Sequence, residues 1–557
     1  MLANKDKSLE LHAPDGRQAG FGSGPRLLRI PPFPGARIRE FTALGGGSAD
    51  VAELVEEIRG LKVGGTYWAA QPEVPSGCVL VRRAAALEAA QQVALGKPVV
   101  LWAVDGAPAK RADGVKVISG DCDPWHMLSA AAAVVLEPDD EIRPIAALLD
   151  VPAYLHSIDG ALTAESHSPE QLLSEELTFA SFENPFTGDP MSAREMIELC
   201  AFWRQLIDSN RDLAGGIGFA FWKQDHVAPL LWNGSAPFRF FRNAGEIGAG
   251  APVAIWRTKA APEALAELER GGAPLIEVED GFLRSRGLGA DCIPPLSITV
   301  DRLGAYFDPS EASELEQILQ RREFDANLIE RARDLRRLIV DAGIGKYEQG
   351  GLVFERPAGT SRHILVPGQV EDDRAVQAGG CGLVSNLELL KKVREQAPGD
   401  YILYKPHPDV LAGHRRGTIA ERICLEYADE ICGEVPIASL LAMADEVHVN
   451  TSLAGFEALL RGKAVTTYGV PFYAGWGLTR DLGPVPSRRT ARRTLDELVA
   501  ATLLIYPRYL DPVTGLPCPA EIVVGRLSTG VESELGLLVG VRRLQGKVMR
   551  RLRSLVQ

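Results

Sequence analysis

The chain has 557 residues, 46% of them hydrophobic and 24% charged, with a formal net charge of −13. At roughly 100–200 residues per domain this length predicts three or four units, and the mix excludes a largely disordered or collagen-like chain. The acidic balance argues against a general nucleic-acid-binding surface, and eight scattered cysteines without a CxxC pair suit a reducing cytosol better than a disulfide framework or a structural zinc site.

The opening MLANKDKSLELHAPDG shows no apolar run after its lysines. No stretch of the chain approaches the ~20 apolar residues of a spanning helix. A cytoplasmic protein is expected. Pro/Gly-rich stretches at 22–35 and 227–239 punctuate the chain. Between them, short apolar runs at Cys78–Val81, Pro98–Ala103, Val115–Ile118 and Ala133–Leu136 predict a small parallel α/β unit. Residues 191–213 read as one long amphipathic helix.

The second portion opens with strands at 254–256 and 275–280. Pro309 to Ala342 reads as helical, in two helices, with Asp308 as N-cap and Pro309 at the first helical position. Strands follow at 363–369, 401–408 and 446–451, then the helix SLAGFEALLRGK and the strand AVTTYG. Strands regularly followed by helices predict doubly wound sheets, here two in series at roughly 250–390 and 391–500. Ligands of such sheets sit beyond the C-terminal strand ends, and the distinctive residues of this chain all lie there.

Four constellations have chemical content. In EDGFLRS, Glu279 and Asp280 end a strand, and Arg284 offers a planar fork for a carboxylate or phosphate; the alternative is an Asp-Gly turn in which Arg284 neutralises Glu279. In GQVEDDRA, Glu371, Asp372 and Asp373 supply a base or nucleophile, or else cap a helix beginning near Asp373. In KPHPDV, Lys405 and the rigidly framed His407 donate hydrogen bonds to a phosphate, or His407 is structural. In NTSLAGFEALLRG, Thr451 and Ser452 begin a helix whose free N–H groups attract an anion, with Glu457 in reach of a ribose hydroxyl; the alternative is an ordinary N-cap. No Walker A loop, no GxGxxG with a following dinucleotide-type acid, and no HxxxH metal pattern occurs, so no metal is expected.

VEDGFLRSRGLG with PPLSITVD, LVPGQVEDD, YKPHPDV and TSLAGFEALLRGKAVTTYGVPFYAGWGLT closely resemble the bacterial capsule polysaccharide biosynthesis proteins, which include β-Kdo transferases. The resemblance covers roughly residues 250–510 in four motifs of the same order, and NPFTGDPMSAREMIELCAFWRQLIDSNR at 184–211 looks similar too. It implies a GT-B-like α/β fold: two Rossmann-type domains, here preceded by an extra α/β region. It also implies a glycosyltransferase that moves Kdo, or a related sugar, from a CMP-activated donor with retention. His407 and Pro408 match the family's nucleotide motif. Thr451 and Ser452 match residues near the CMP phosphate, and Asp373 matches the catalytic aspartate. Glu279 and Asp280 match the acidic motif, and Arg284, Ser285, Gln369, Lys405 and Glu457 complete the expected binding set. No cofactor is implied beyond the CMP-sugar co-substrate.

The implied partners are a glycolipid or capsule oligosaccharide acceptor, the inner-membrane surface and the capsule export machinery, and no nucleic acid. Some family members carry two transferase modules; here one complete motif set is present, and DPWHML and IAALLDVP look like a decayed relative. The domains expected are a flexible segment 1–35, a non-catalytic or acceptor-binding α/β region 36–245, an acceptor-side Rossmann domain 246–390, and a donor Rossmann domain 391–528. A basic amphipathic helix is expected at 529–557, lying on an anionic membrane surface or packed back on the fold. The competing functions are a UDP-sugar transferase and a non-enzymatic export or assembly factor.

Overall fold

The computed structural model describes residues 27–37, 51–103, 114–177, 182–283, 294–344, 362–413 and 415–530. It divides into two compact units: Met1–Pro31 with Ile38–Arg204, and Pro32–Arg37 with Gln205–Gln557.

The first unit holds β1 (Cys78–Val81), β2 (Val99–Ala103), β3 (Val115–Ser119), β4 (Ala131–Leu136), β5 (Ala153–His156) and β6 (Leu162–Ala164). They form one sheet in the order β3-β2-β1-β4-β5-β6, parallel except for β6. This is the 3-2-1-4-5-6 order of a Rossmann sheet. β1 and β2 are buried at every position, as strands covered on both faces by helices must be. A small hairpin, β7 (Phe182–Glu183) and β8 (Pro190–Met191), follows.

The second unit carries two sheets. One contains β9 (Gly215–Ile217), β10 (Phe240–Phe241), β11 (Val253–Ile255), β12 (Leu275–Asp280), β13 (Ser297–Asp301), β20 (Pro507–Leu510) and β21 (Pro517–Cys518), in the order β10-β9-β11-β12-β13-β20-β21. It is parallel from β10 to β12 and antiparallel beyond. The other contains β14 (His363–Pro367), β15 (Tyr401–Lys405), β16 (Glu430–Ile431), β17 (Glu446–Val449), β18 (Ala464–Thr467) and β19 (Arg480–Asp481). Its order is β16-β15-β14-β17-β18-β19 and every pair is parallel, again the Rossmann order. The two α/β halves are those of a GT-B-like fold, as expected.

Several boundaries differ from expectation. The first unit stops at Arg204, because β9 and β10 pair into the second unit's sheet. The division at 390 moves back, because His363–Pro367 pairs with Tyr401–Lys405. The donor-side stretch does not stay in its own half either: β20 and β21 cross back to complete the other sheet. Residues 27–35 of the segment expected to be flexible are packed, with Leu27, Leu28, Ile30 and Phe33 buried and Phe33 edge-on to Trp232. The helix at 191–213 is shorter, Ala193–Asp208. The helix expected from Pro309 begins at Glu314, capped by Ser313, because Asp308 closes a turn through Ser310 instead. The basic helix expected at 529–557 lies, from residue 531 onward, outside the described residues. Among the described residues no helix is long and apolar enough to cross a membrane.

Candidate active site

In parallel strands the loops after each C-terminal end share one edge, so the order β15-β14-β17 sets the loops at 368–373, 406–408 and 450–452 side by side. The switch point lies between β14 and β17. There Gln369 and Thr451 exchange two hydrogen bonds: Gln369 Nε2 donates to Thr451 Oγ1 at 2.9 Å, and Thr451 N donates to Gln369 Oε1 at 3.0 Å. Buried Asn386 braces the same edge. Its Oδ1 accepts from Gln369 N, its Nδ2 donates to the Gln369 and Gly417 carbonyls, and its backbone N donates to Glu371 Oε1. Gly417 has φ +131°, and a Cβ there would sit 2.7 Å from Asn386 Nδ2. Only glycine lets the two loops approach so closely.

Lys405 is buried at the end of β15 and its Nζ donates to the Gly433 carbonyl at 2.6 Å. His407 caps the short helix Pro408–Leu411, with Nδ1 accepting from Asp409 N at 3.2 Å. An imidazole accepting at Nδ1 carries its proton on Nε2, the tautomer that donates from the far side of the ring. Ser452 caps Leu453–Leu460 through its Oγ, and its carbonyl accepts from Tyr473 Oη at 2.5 Å. Glu457 is buried within that helix.

Asp373 is exposed and caps Arg374–Gly379, its Oδ1 accepting from Ala375 N at 2.9 Å. Capping occupies one carboxylate oxygen at the loop tip. Asp372 pairs with Arg415 at 3.2 Å.

The sequence reading missed Arg374. It reaches from this edge to the other sheet, where its Nη1 lies 2.6 Å from Glu279 Oε1 and 3.6 Å from Glu277 Oε2. Arg374 thereby joins the C-terminal end of β12 to the Asp373 loop. Arg257 pairs with Glu277. Asp280 pairs with buried Lys223 at 2.8 Å, whose Nζ stands 3.5 Å over the Trp256 ring. The three carboxylates of β12 thus face three cations. Burial nevertheless dominates at Glu279: it pushes the carboxyl up to about 7, against the pull of Arg374 and helped by Asp280 and Glu277. A carboxyl balanced near neutrality can both give and take a proton. Aromatic contacts flank the site, with Phe282, just after β12, 4.8 Å from Phe472. Arg284 and Ser285 lie outside the described residues.

The structure therefore brings Gln369, Lys405, His407, Pro408, Thr451 and Ser452 to one edge and links Glu279 to it through Arg374. Asp280 is engaged by Lys223 instead. Only the letter R after EDD could have pointed to Arg374; nothing local pointed to Lys223 or Asn386.

A model of the family described as capsule polysaccharide biosynthesis protein matches residues 252–349 and 351–509. The chain is 38% identical over 374 residues to the capsule polysaccharide modification protein LipA of Neisseria meningitidis serogroup A, covering 65% of this chain and 53% of that protein. It is 43% identical over 267 residues to the lipopolysaccharide-processing protein LpsZ of Rhizobium meliloti, covering 47% of this chain and 60% of that one. The chain spans about half the length of the Neisseria relatives it matches. Among solved structures it is similar to the KpsC β-Kdo 2,7 transferase of Thermosulfurimonas dismutans, at 35% identity and a TM-score of 0.47, covering 57% of this chain and 99% of that one.

Proposed function

We propose that this chain, whose residues 252–349 and 351–509 match the capsule polysaccharide biosynthesis protein family model and which is 38–40% identical to the Neisseria relatives over the matched stretch, is a glycosyltransferase of that family. In this reading it moves Kdo or a related acidic sugar from a CMP-activated donor to a lipid-linked or saccharide acceptor, with retention of configuration. The observation that carries it is the Arg374 bridge, which ties the near-neutral Glu279 carboxyl to the loop bearing Asp373. Retention by two displacements needs a carboxylate nucleophile and a separate acid/base. Asp373, exposed at the loop tip, takes the first role. Its oxygen attacks the anomeric carbon as the CMP phosphate leaves. Glu279 takes the second: protonated, it assists the departing phosphate; deprotonated, it accepts the proton of the acceptor hydroxyl that attacks the glycosyl-enzyme.

His407 Nε2–H, Lys405 and the Thr451–Ser452 turn stabilise the phosphate. The motif resemblance to β-Kdo transferases supports the donor class. Asp373→Asn is expected to keep CMP affinity within about twofold while turnover of CMP-Kdo falls by about 10³-fold or more, because an amide is a poor nucleophile. Titration with CMP and UDP, followed by a donor-consumption assay, checks this. Preference for UDP, or full turnover by the Asn variant, overturns it. The basic segment Arg542–Gln557 is proposed to hold the enzyme on an anionic membrane surface, where each basic residue adds about 1 kcal/mol. Truncation after Gly540 is then expected to abolish co-sedimentation with phosphatidylglycerol vesicles while activity on a soluble acceptor persists.

A further inference from the structure

Arg374 joins the two halves at the site. It is held at β12 by Glu279, with buried Glu277 beyond. It stands next in sequence to Asp373, at the start of the helix that Asp373 caps. Its side chain is 31% exposed, and it sits 5.0 Å from the centre of the Phe307 ring. That contact leaves the fork edge for carboxylates, the geometry in which arginine discriminates planar anions from point charges. A sugar of the Kdo type carries a carboxylate on the very carbon that reacts.

We propose that Arg374 is the donor-specificity residue: it exchanges Glu279 for the carboxylate of the incoming sugar, so that the enzyme selects donors bearing an acid group at the anomeric carbon. This rests on the glycosyltransferase reading above and adds the chemical feature by which the donor is chosen. The exchange has a consequence at β12. Glu279 loses its cation while Glu277 and Asp280 remain beside it. Arg257 stays paired to Glu277, and Lys223 to Asp280. The stripped carboxyl, already raised by burial, then takes a proton from solvent. Donor entry thus loads the acid that assists CMP departure, and no further group is needed to balance the step.

The test compares CMP with CMP-Kdo on the full chain. For Arg374→Gln the KM for CMP-Kdo is expected to rise about 10–100-fold, the value of a charged bidentate contact, while the inhibition constant of CMP stays within about twofold. Arg374→Lys keeps the charge and loses the fork, and is expected to recover only part of the loss; it also serves if the Gln variant does not fold. Calorimetry of wild-type protein at about pH 7 in two buffers of different ionisation enthalpy is expected to show proton uptake with CMP-Kdo and none with CMP, a signature that a structural arginine would not produce. If wild-type protein neither binds CMP nor consumes CMP-Kdo, the glycosyltransferase reading falls and this inference with it. If the wild type consumes the donor but Arg374→Gln shifts CMP and CMP-Kdo alike, or shifts neither, this inference alone is overturned.

Discussion

Glu279 is where the site costs the fold most visibly. Its folded-state pKa lies near 7, above the ordinary 4.5. The fold therefore disfavours the charged form, and the associated stability is fully present below about pH 4.5 and lost as the pH rises through about 7. Glu279→Gln removes that loss, while Arg374 keeps Glu277 at 3.6 Å. The expected outcome is an unchanged melting temperature near about pH 4 and a gain on the order of 3 kcal/mol near about pH 8, together with a severe loss of turnover. Thermal melts across that range check it; an equal effect at both ends would show that the carboxylate is not strained. The acids at this scale were legible in the sequence, because Glu279, Asp280 and Asp373 each follow a readable strand. Their partners were not. Arg374 lies 95 residues from Glu279, and Lys223 lies 57 from Asp280. No local pattern encodes a contact made only when two sheets meet. Of the two readings open for Asp373, the cap is the one observed: its side chain accepts from Ala375 N at the start of Arg374–Gly379.

Among elements, the parallel strands of four to six buried apolar residues were legible. Cys78–Val81 falls at the expected residues, because a strand covered on both faces is an uninterrupted apolar run; Leu275–Asp280 does too, its Leu, Ile and Val marking it among three carboxylates. The strands that escaped are short or polar. Gly215–Ile217 has two glycines among its three residues, and Phe240–Phe241 has only two residues. Ser297–Asp301 alternates buried Ser, Thr and Asp with its apolar residues. The loops between strands depend on one side chain more than on any strand. Asn386 joins Gln369, Glu371 and Gly417. Asn386→Ala is expected to leave the Gln369 N–H and carbonyl without these bonds, costing about 1–3 kcal/mol. As the Gln369–Thr451 pair loosens, the KM for the donor should rise more than kcat falls. Denaturant titration and steady-state kinetics check the two halves of that expectation, and an unaltered KM would remove Asn386 from the support of the site.

At the scale of the whole molecule, the second unit is stitched rather than stacked in sequence. Arg489, from the stretch after β19, is buried against Glu316 of the helix that follows β13, with Nε 2.7 Å from Oε2 and Nη1 donating to the Pro471 and Ala474 carbonyls. From there the chain passes through Leu495–Val499 into β20, which pairs with β13. Arg37 N, near the start of the described chain, donates to the Thr514 carbonyl at 2.7 Å. The return of β20 has a consequence for how the protein is made. On the ribosome, β13 emerges about 200 residues before its partner; at about 5–20 residues per second the nascent sheet waits on the order of 10–40 s with that edge unpaired. Its open strand carries Ile298 and Val300 alongside polar groups destined for burial, so until β20 arrives this edge offers unpaired N–H and C=O groups to any other strand.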